Sequence, residues 1–300
     1  MNFKNVVLCS VFLLLGAFTV QAQLNVLNAK TPDEIGKKTE AQIEYDNDGP
    51  LEYGYVDDRD VLWSKTTWEI IDLDERVNFP LYYPIDTNNI GADRRSLYDV
   101  LVKNIKNGKI EHIYADSYFT EKRTLDDIRA SLQYTDTTEV GINQFNAEGR
   151  VDEQYIRKFD LDAGDVEEWR VRGIWYLDKR QGDLRYRLLG ICPVANEARS
   201  KAFPDDNIDS KVELFWVWFP AARGVLHEWK AFNRENTSQP ISYDHLLNSR
   251  RFDGVVYKED NVQGDRAVNE YINDNALMQL LESQRIKEQI RNMEIDLWNY

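Results

Sequence analysis

The three histidines, His112, His227 and His245, stand far apart. None has a second His or Cys at the spacing of a zinc site. Leu226-His227-Glu228-Trp229 carries half of a metalloprotease pattern and lacks the second histidine. No Gly-x-Ser-x-Gly elbow, Gly-Lys-Ser/Thr phosphate loop or paired glycine fingerprint occurs. Glu44, Asp46, Asp48 and Gly49 fill positions of a calcium loop, but the first should be Asp. Tyr55 also stands where a bidentate carboxylate is needed. With 52 acidic residues, carboxylate pairs suited to sugar cleavage arise by chance, and their separation is set only by folding. These residues lead us to expect no catalytic centre, no metal and no cofactor.

The chemistry that stands out instead is charged recognition. Arg170, Arg172, Arg185 and Arg187 fall on the polar positions of one alternating segment, in a chain of net charge −15. Guanidinium forks pair bidentately with carboxylates and stack on aromatic rings, so these four are the candidate partner-binding residues. The competing reading is that they balance nearby acids such as Asp165, Glu167 and Glu168, in exposed pairs worth little. An acidic chain repels nucleic acid and anionic lipid, which removes both as partners. The content of 8 Trp, 16 Tyr and 12 Phe supplies core rings and interface anchors alike.

The elements that must carry those arginines read clearly. Trp169, Val171, Gly173, Trp175 and Leu177 alternate with Arg170, Arg172, Ile174, Tyr176 and Asp178. Lys179 to Asp183 turns the chain, with Gly182 free to take a positive φ, and Leu184 to Gly190 returns it. Leu214 to Phe219 is apolar on both faces and reads as a buried central strand. Trp63 to Leu73 is rich in strand formers, and Phe79 to Pro84 reads as the end of an extended segment. Ser96 caps a helix that Gly108 stops. Thr124 with Asp127 opens another over Leu125 to Leu132. Ile110, Ile113, Tyr114 and Tyr118-Phe119 suggest a strand. Leu277, Leu280, Leu281, Ile286, Ile290, Met293 and Leu297 keep helical spacing within a helix expected from Ala267 to Trp298. That stripe either packs on its own domain or docks a partner. Cys192 sits at an inward strand position and reads as a buried structural thiol.

The expected fold class is α+β: mixed antiparallel sheets with short helices and a C-terminal helix. A weak echo links Phe79-Pro80, Tyr98-Asp99-Val100-Leu101, Gly108 and Ile110 with Phe219-Pro220, Tyr243-Asp244-His245-Leu246, Gly254 and Val256. It admits two similar α+β units, and chance explains it equally well. At the N-terminus, Lys4, the apolar run Val6 to Val20 and Val20-Gln21-Ala22 have the layout of a secretory leader cleaved after Ala22. The run is shorter than the roughly 20 apolar residues of a membrane span, and Val7-Leu8 before Cys9 make a poor lipidation site. The expected organisation is a leader at 1–22, a polar arm at 23–60, α+β units at 61–150 and 151–265, and an amphipathic helix at 266–300. Export with a single remaining cysteine, Cys192, allows no internal disulfide.

Several strings resemble the gliding-motility protein N family (GldN/PorN). They are Asp60-Val61-Leu62-Trp63-Ser64-Lys65, Asn78-Phe79-Pro80-Leu81-Tyr82-Tyr83-Pro84, Trp169-Arg170-Val171-Arg172-Gly173-Ile174-Trp175-Tyr176, Leu188-Leu189-Gly190-Ile191-Cys192-Pro193 and Phe215-Trp216-Val217-Trp218. The resemblance runs from about Leu51 to Asp260. It implies a periplasmic component of the type IX secretion and gliding machinery, without catalytic residues and without direct membrane insertion. The implied partners are an outer-membrane lipoprotein (component K, GldK/PorK), further copies in a ring, and the periplasmic part of the inner-membrane motor protein (component M, GldM/PorM). The alternative from another class is a secreted carbohydrate-active enzyme or sugar-binding module, suggested by tryptophans that look exposed.

Overall fold

A computed structural model of the chain describes residues 48–86, 94–203, 211–236 and 240–298. The expected leader, most of the polar arm, and Glu44 and Asp46 of the calcium-like loop lie outside these residues.

In chain order the first half supplies β1 (Val61–Asp72), α1 (Phe79–Tyr82), α2 (Leu97–Lys106), β2 (Ile113–Tyr114), α3 (Leu125–Leu132), β3 (Gln133–Thr137), α4 (Glu139–Glu148) and β4 (Ile156–Asp160). The second supplies β5 (Val166–Asp178), β6 (Asp183–Asn196), α5 (Ala198–Ala202), β7 (Lys211–Glu213), β8 (Trp216–Trp218) and α6 (Phe219–Glu228). After these come β9 (Lys230–Ala231), β10 (Ile241–Ser242), α7 (Tyr243–Asn248), β11 (Val255–Glu259), α8 (Val268–Tyr271) and α9 (Ala276–Trp298). The main sheet runs β11-β1-β5-β6-β8-β2, with β7 added beside β6, and its neighbours pair antiparallel. Two small pairs, β3–β4 and β9–β10, lie apart from it. The fold is thus α+β, as the patterning requires. β1 from the 61–150 segment is sandwiched between β5 and β11 of the 151–265 segment, so one sheet spans both.

The β5–β6 hairpin forms where alternation predicts it, and Gly182 closes its turn at φ +68°. Its glycines are slots for rings. A Cβ on Gly173 would collide with the Tyr186 hydroxyl, and one on Gly190 would strike the Phe119 ring. Side chains alternate between the two faces of the sheet. On one face Ile71, Trp169, Val171, Leu188 and Ile191 meet the apolar sides of α1, α2, α6 and α7 in the main core. On the other, Trp68, Cys192 and Trp216 form a smaller cluster with Tyr114, Phe119 and Tyr257. Burying Trp68, Trp169 and Trp216, each 1% exposed or less, removes roughly 150–250 Å² per ring from water. Gross stabilisation is about 4–6 kcal/mol for each at ~25 cal/mol/Å². None of Trp63, Trp68, Trp169, Trp175, Trp216, Trp218 and Trp229 is exposed, which corrects the impression of sugar-stacking tryptophans.

Ser96 accepts the Asp99 N–H to cap α2, and Thr124 with Asp127 forms the capping box of α3. Two expectations change. Phe79-Pro80 and Phe219-Pro220 each open a helix, with Pro at a first-turn position where its missing N–H costs nothing. The expected terminal helix is also broken into α8 and α9: Asp274 takes φ +56°, and the Asn275 side chain caps α9 by accepting the Met278 N–H. From α9, Ile286, Ile290 and Ser283 face inward, Ser283 accepting the Val256 N–H at 2.8 Å. Leu277, Leu280 and Leu281 face solvent.

Candidate functional site: an arginine-rimmed groove

Of the four arginines singled out from sequence, three are tied into their own chain. The Arg170 guanidinium pairs with Glu213 and, at 3.4 Å, with Glu168, and stacks over Tyr257 at 5.3 Å. Burial alone would lower its pKa, but the Glu213 bond and the neighbouring charges outweigh burial and raise it. Arg172 donates to the Ser117 carbonyl at 2.6 Å and lies over Trp68, Tyr118 and Phe119, 4.9–5.6 Å from their centroids. Burial pulls its pKa down. Arg187 donates to the Gly54 carbonyl and the Tyr176 hydroxyl and covers Tyr53 at 4.6 Å. Arg185 is exposed, its nearest carboxylate being Asp183 at 3.9 Å. The structure therefore brings Arg170 and Arg172 onto the sheet's second face, sets Arg187 against the incoming segment at Tyr53, and leaves Arg185 at the hairpin end.

The histidines stay dispersed: His112 beside β2, His227 at the end of α6 and His245 on α7. Among the described residues no group of three or more His, Cys, Asp or Glu is placed to hold a metal. Cys192 is fully buried, and burial pushes its thiol well above its usual pKa. Among the described residues no helix is long and apolar enough to cross a membrane.

A different set of arginines surrounds a groove of about 720 Å³. Its apolar lining comes from Val77, Phe79, Pro80 and Tyr83 on one side and from Phe232, Ile241 and Leu246 on the other. Arg76, Arg94, Arg234 and Arg251 stand around it against a single acid, Glu235. Local structure explains how residues so distant in sequence meet. Asn78, fully buried, donates from Nδ2 to the Asp72 and Asp253 carbonyls at 2.7 and 3.0 Å, and its Oδ1 accepts the Asp253 N–H at 3.0 Å. That three-way bond fixes the start of α1 against the segment bearing Arg251. The buried Tyr243 hydroxyl donates to the Arg95 carbonyl at 2.7 Å and lies 3.3 Å from the Pro80 carbonyl. It ties α1 and the chain at 94–95 to α7. Burial raises the Tyr243 pKa, so the phenol stays a neutral donor. At the mouth, Arg94 lies over Phe232 at 4.9 Å, and Phe79 meets Tyr83 edge-on at 5.4 Å.

The rim is chemically unlike the hairpin. Arg76, Arg234 and Arg251 are exposed and make no ion pair with another described residue. Phe79, Tyr83 and Phe232 are 37–46% exposed and Val77 57%. Unpaired guanidinium donors around an apolar floor bind carboxylates and cover apolar side chains; they offer no nucleophile and no general base. The four rim arginines share no local pattern, so sequence reading passed them over. The Asn78 to Pro84 string did carry a signal, because it contains the buried hub and two of the groove's rings.

A family model described as gliding motility associated protein GldN matches residues 56–299, which include the whole main sheet and every residue of the groove. No curated protein matches the chain.

Proposed function

This chain belongs to the gliding motility associated GldN family, and from that premise we propose that it is a non-enzymatic structural component of the type IX secretion and gliding machinery. In this reading it works in the periplasm. It assembles with an outer-membrane lipoprotein of the component K kind and with further copies of itself in a ring, and it touches the periplasmic part of an inner-membrane motor protein of the component M kind.

The observation that carries the proposal is the extent of the match. It covers the sheet, its helices and the groove, so the family resemblance concerns the folded body and not an appended motif. The site chemistry supports it: unpaired arginines and exposed rings suit protein recognition. The leader layout supports an exported location.

Deletion of the gene, with restoration by an affinity-tagged copy, tests the reading. Expected results are loss of surface gliding and of enzyme export in the deletion strain, recovery of both with the tagged copy, and co-purification of an envelope lipoprotein. Normal gliding and normal export in the deletion strain would overturn it. Fractionation of the tagged strain tests the location, a cytoplasmic pool being the contrary result.

A further inference from the structure

We propose that the groove beneath Arg76, Arg94, Arg234 and Arg251 is a docking site for an acidic peptide segment of a protein partner. That segment presents an aliphatic or aromatic side chain flanked by carboxylates. The inference deepens the assembly reading and rests on it for the partner being a protein.

Charge complementarity is the first support. Acids outnumber bases by 52 to 37 in the whole chain, yet the groove gathers four arginines and one glutamate. Several arginines elsewhere in the fold find carboxylates within their own chain. Arg223 holds Asp244 at 2.7 Å, Arg250 holds Glu69 at 2.7 Å, and Arg170 holds Glu213. Among the described residues Arg76, Arg94, Arg234 and Arg251 make no ion pair, and carboxylate is the ion their fork geometry matches bidentately.

The apolar floor narrows the ligand further. A free inorganic anion would use the arginines and leave Val77, Phe79, Tyr83 and Phe232 uncovered. Nucleic acid would meet a chain of net charge −15. An acidic peptide with one apolar anchor satisfies both parts at once, and aromatic rings with arginine are the residue types that dominate binding hot spots. The walls are held by buried Asn78 and Tyr243 before any ligand arrives, so little ordering is lost on binding.

Fluorescence anisotropy with the purified protein tests this. The probe is a fluorescein-labelled peptide pool in which Asp or Glu flanks one position carrying Leu, Ile, Phe, Tyr or Trp. Saturable binding is expected, weakening as salt rises from about 0.05 to 0.5 M because the rim charges are exposed. The double variant Arg76→Glu/Arg251→Glu is expected to lose more than about 30-fold in affinity, the scale of one hot spot. Phe232→Ala is expected to weaken binding while leaving thermal unfolding unchanged. Arg185→Glu, at the far hairpin, is expected to bind as the natural chain does. The proposal is overturned if the pool does not bind, if an alanine-centred acidic pool binds equally well, or if binding survives the double reversal. Normal gliding in the deletion strain would instead sink the assembly reading and leave the peptide result standing.

Discussion

The two strands of the β5–β6 hairpin and the groove each gather four arginines, and they use them in opposite ways. On the hairpin, Arg170 and Arg172 are covered by side chains that arrive from elsewhere: Glu213, Tyr257, Trp68 and the loop carrying Ser117, Tyr118 and Phe119. At the groove, Arg76, Arg234 and Arg251 meet no such arrivals among the described residues. The difference teaches that closeness along the sequence does not by itself set how an arginine is used. What decides is whether distant elements bring acceptors and rings to it.

The largest test of this contrast removes an internal acceptor. Glu69, 1% exposed, receives both arms of Arg250 at 3.0 and 2.7 Å, and that guanidinium also lies over Trp175, Tyr186 and Phe252. Glu69→Ala is expected to cost about 3–5 kcal/mol in denaturant unfolding, because it strands a largely buried charge. A loss below about 1 kcal/mol would mean that Arg250 finds water, and the contrast with the groove would collapse. Next comes Gly173→Ala, which displaces Tyr186 from its slot. A loss of about 1–3 kcal/mol is expected from overpacking, and a neutral result would show that the hairpin is looser than its contacts imply.

A matched pair then compares the two regions directly. Arg172→Gln gives up a carbonyl bond and three ring contacts and is expected to cost about 1–2 kcal/mol. Arg76→Gln is expected to stay within about 0.5 kcal/mol of the natural chain, as exposed substitutions do. Equal losses in calorimetry would erase the distinction. The smallest effect concerns a pair of intermediate exposure on α9, where Arg285 binds Glu282 through two bonds of 2.8 and 2.6 Å. The Arg285 bond lowers the Glu282 pKa, against the opposing effect of burial. A folded pKa below the unfolded value contributes stability above that unfolded value, about 4.3, and the contribution fades as pH falls through the folded value. Glu282→Gln is thus expected to cost under about 1 kcal/mol at pH 7, with the gap in melting temperature closing at more acid pH. A gap that persists in acid would trace the loss to packing instead of charge.

Much of the fold was legible because it is local. The hairpin announces itself by alternation and Gly182, and α2 and α3 by the caps Ser96 and Thr124. The helix expected from Ala267 started too early at the C-terminus, because it ran across Asn273-Asp274-Asn275. Those turn formers break the helix, and Ser283 takes an inward position because Val256 needs an acceptor. The groove was not legible, since its walls join through Asn78 and Asp253, 175 residues apart. The arginines that sequence did single out are prominent because they lie close together along the chain, and it is the long-range rings that neutralise their prominence.

β1 has a further consequence, for the order in which the protein assembles. Both of its hydrogen-bonding neighbours, β5 and β11, come later in the chain, and β11 closes only after most of it has been made. A chain emerging N-terminus first therefore carries a twelve-residue strand containing Trp63, Trp68, Ile70 and Ile71 with both edges open. The hairpin forms quickly from near neighbours, whereas sealing β1 waits on distant ones and is slow for that reason. Until Val255–Glu259 arrives, one edge of β1 remains a template for another chain.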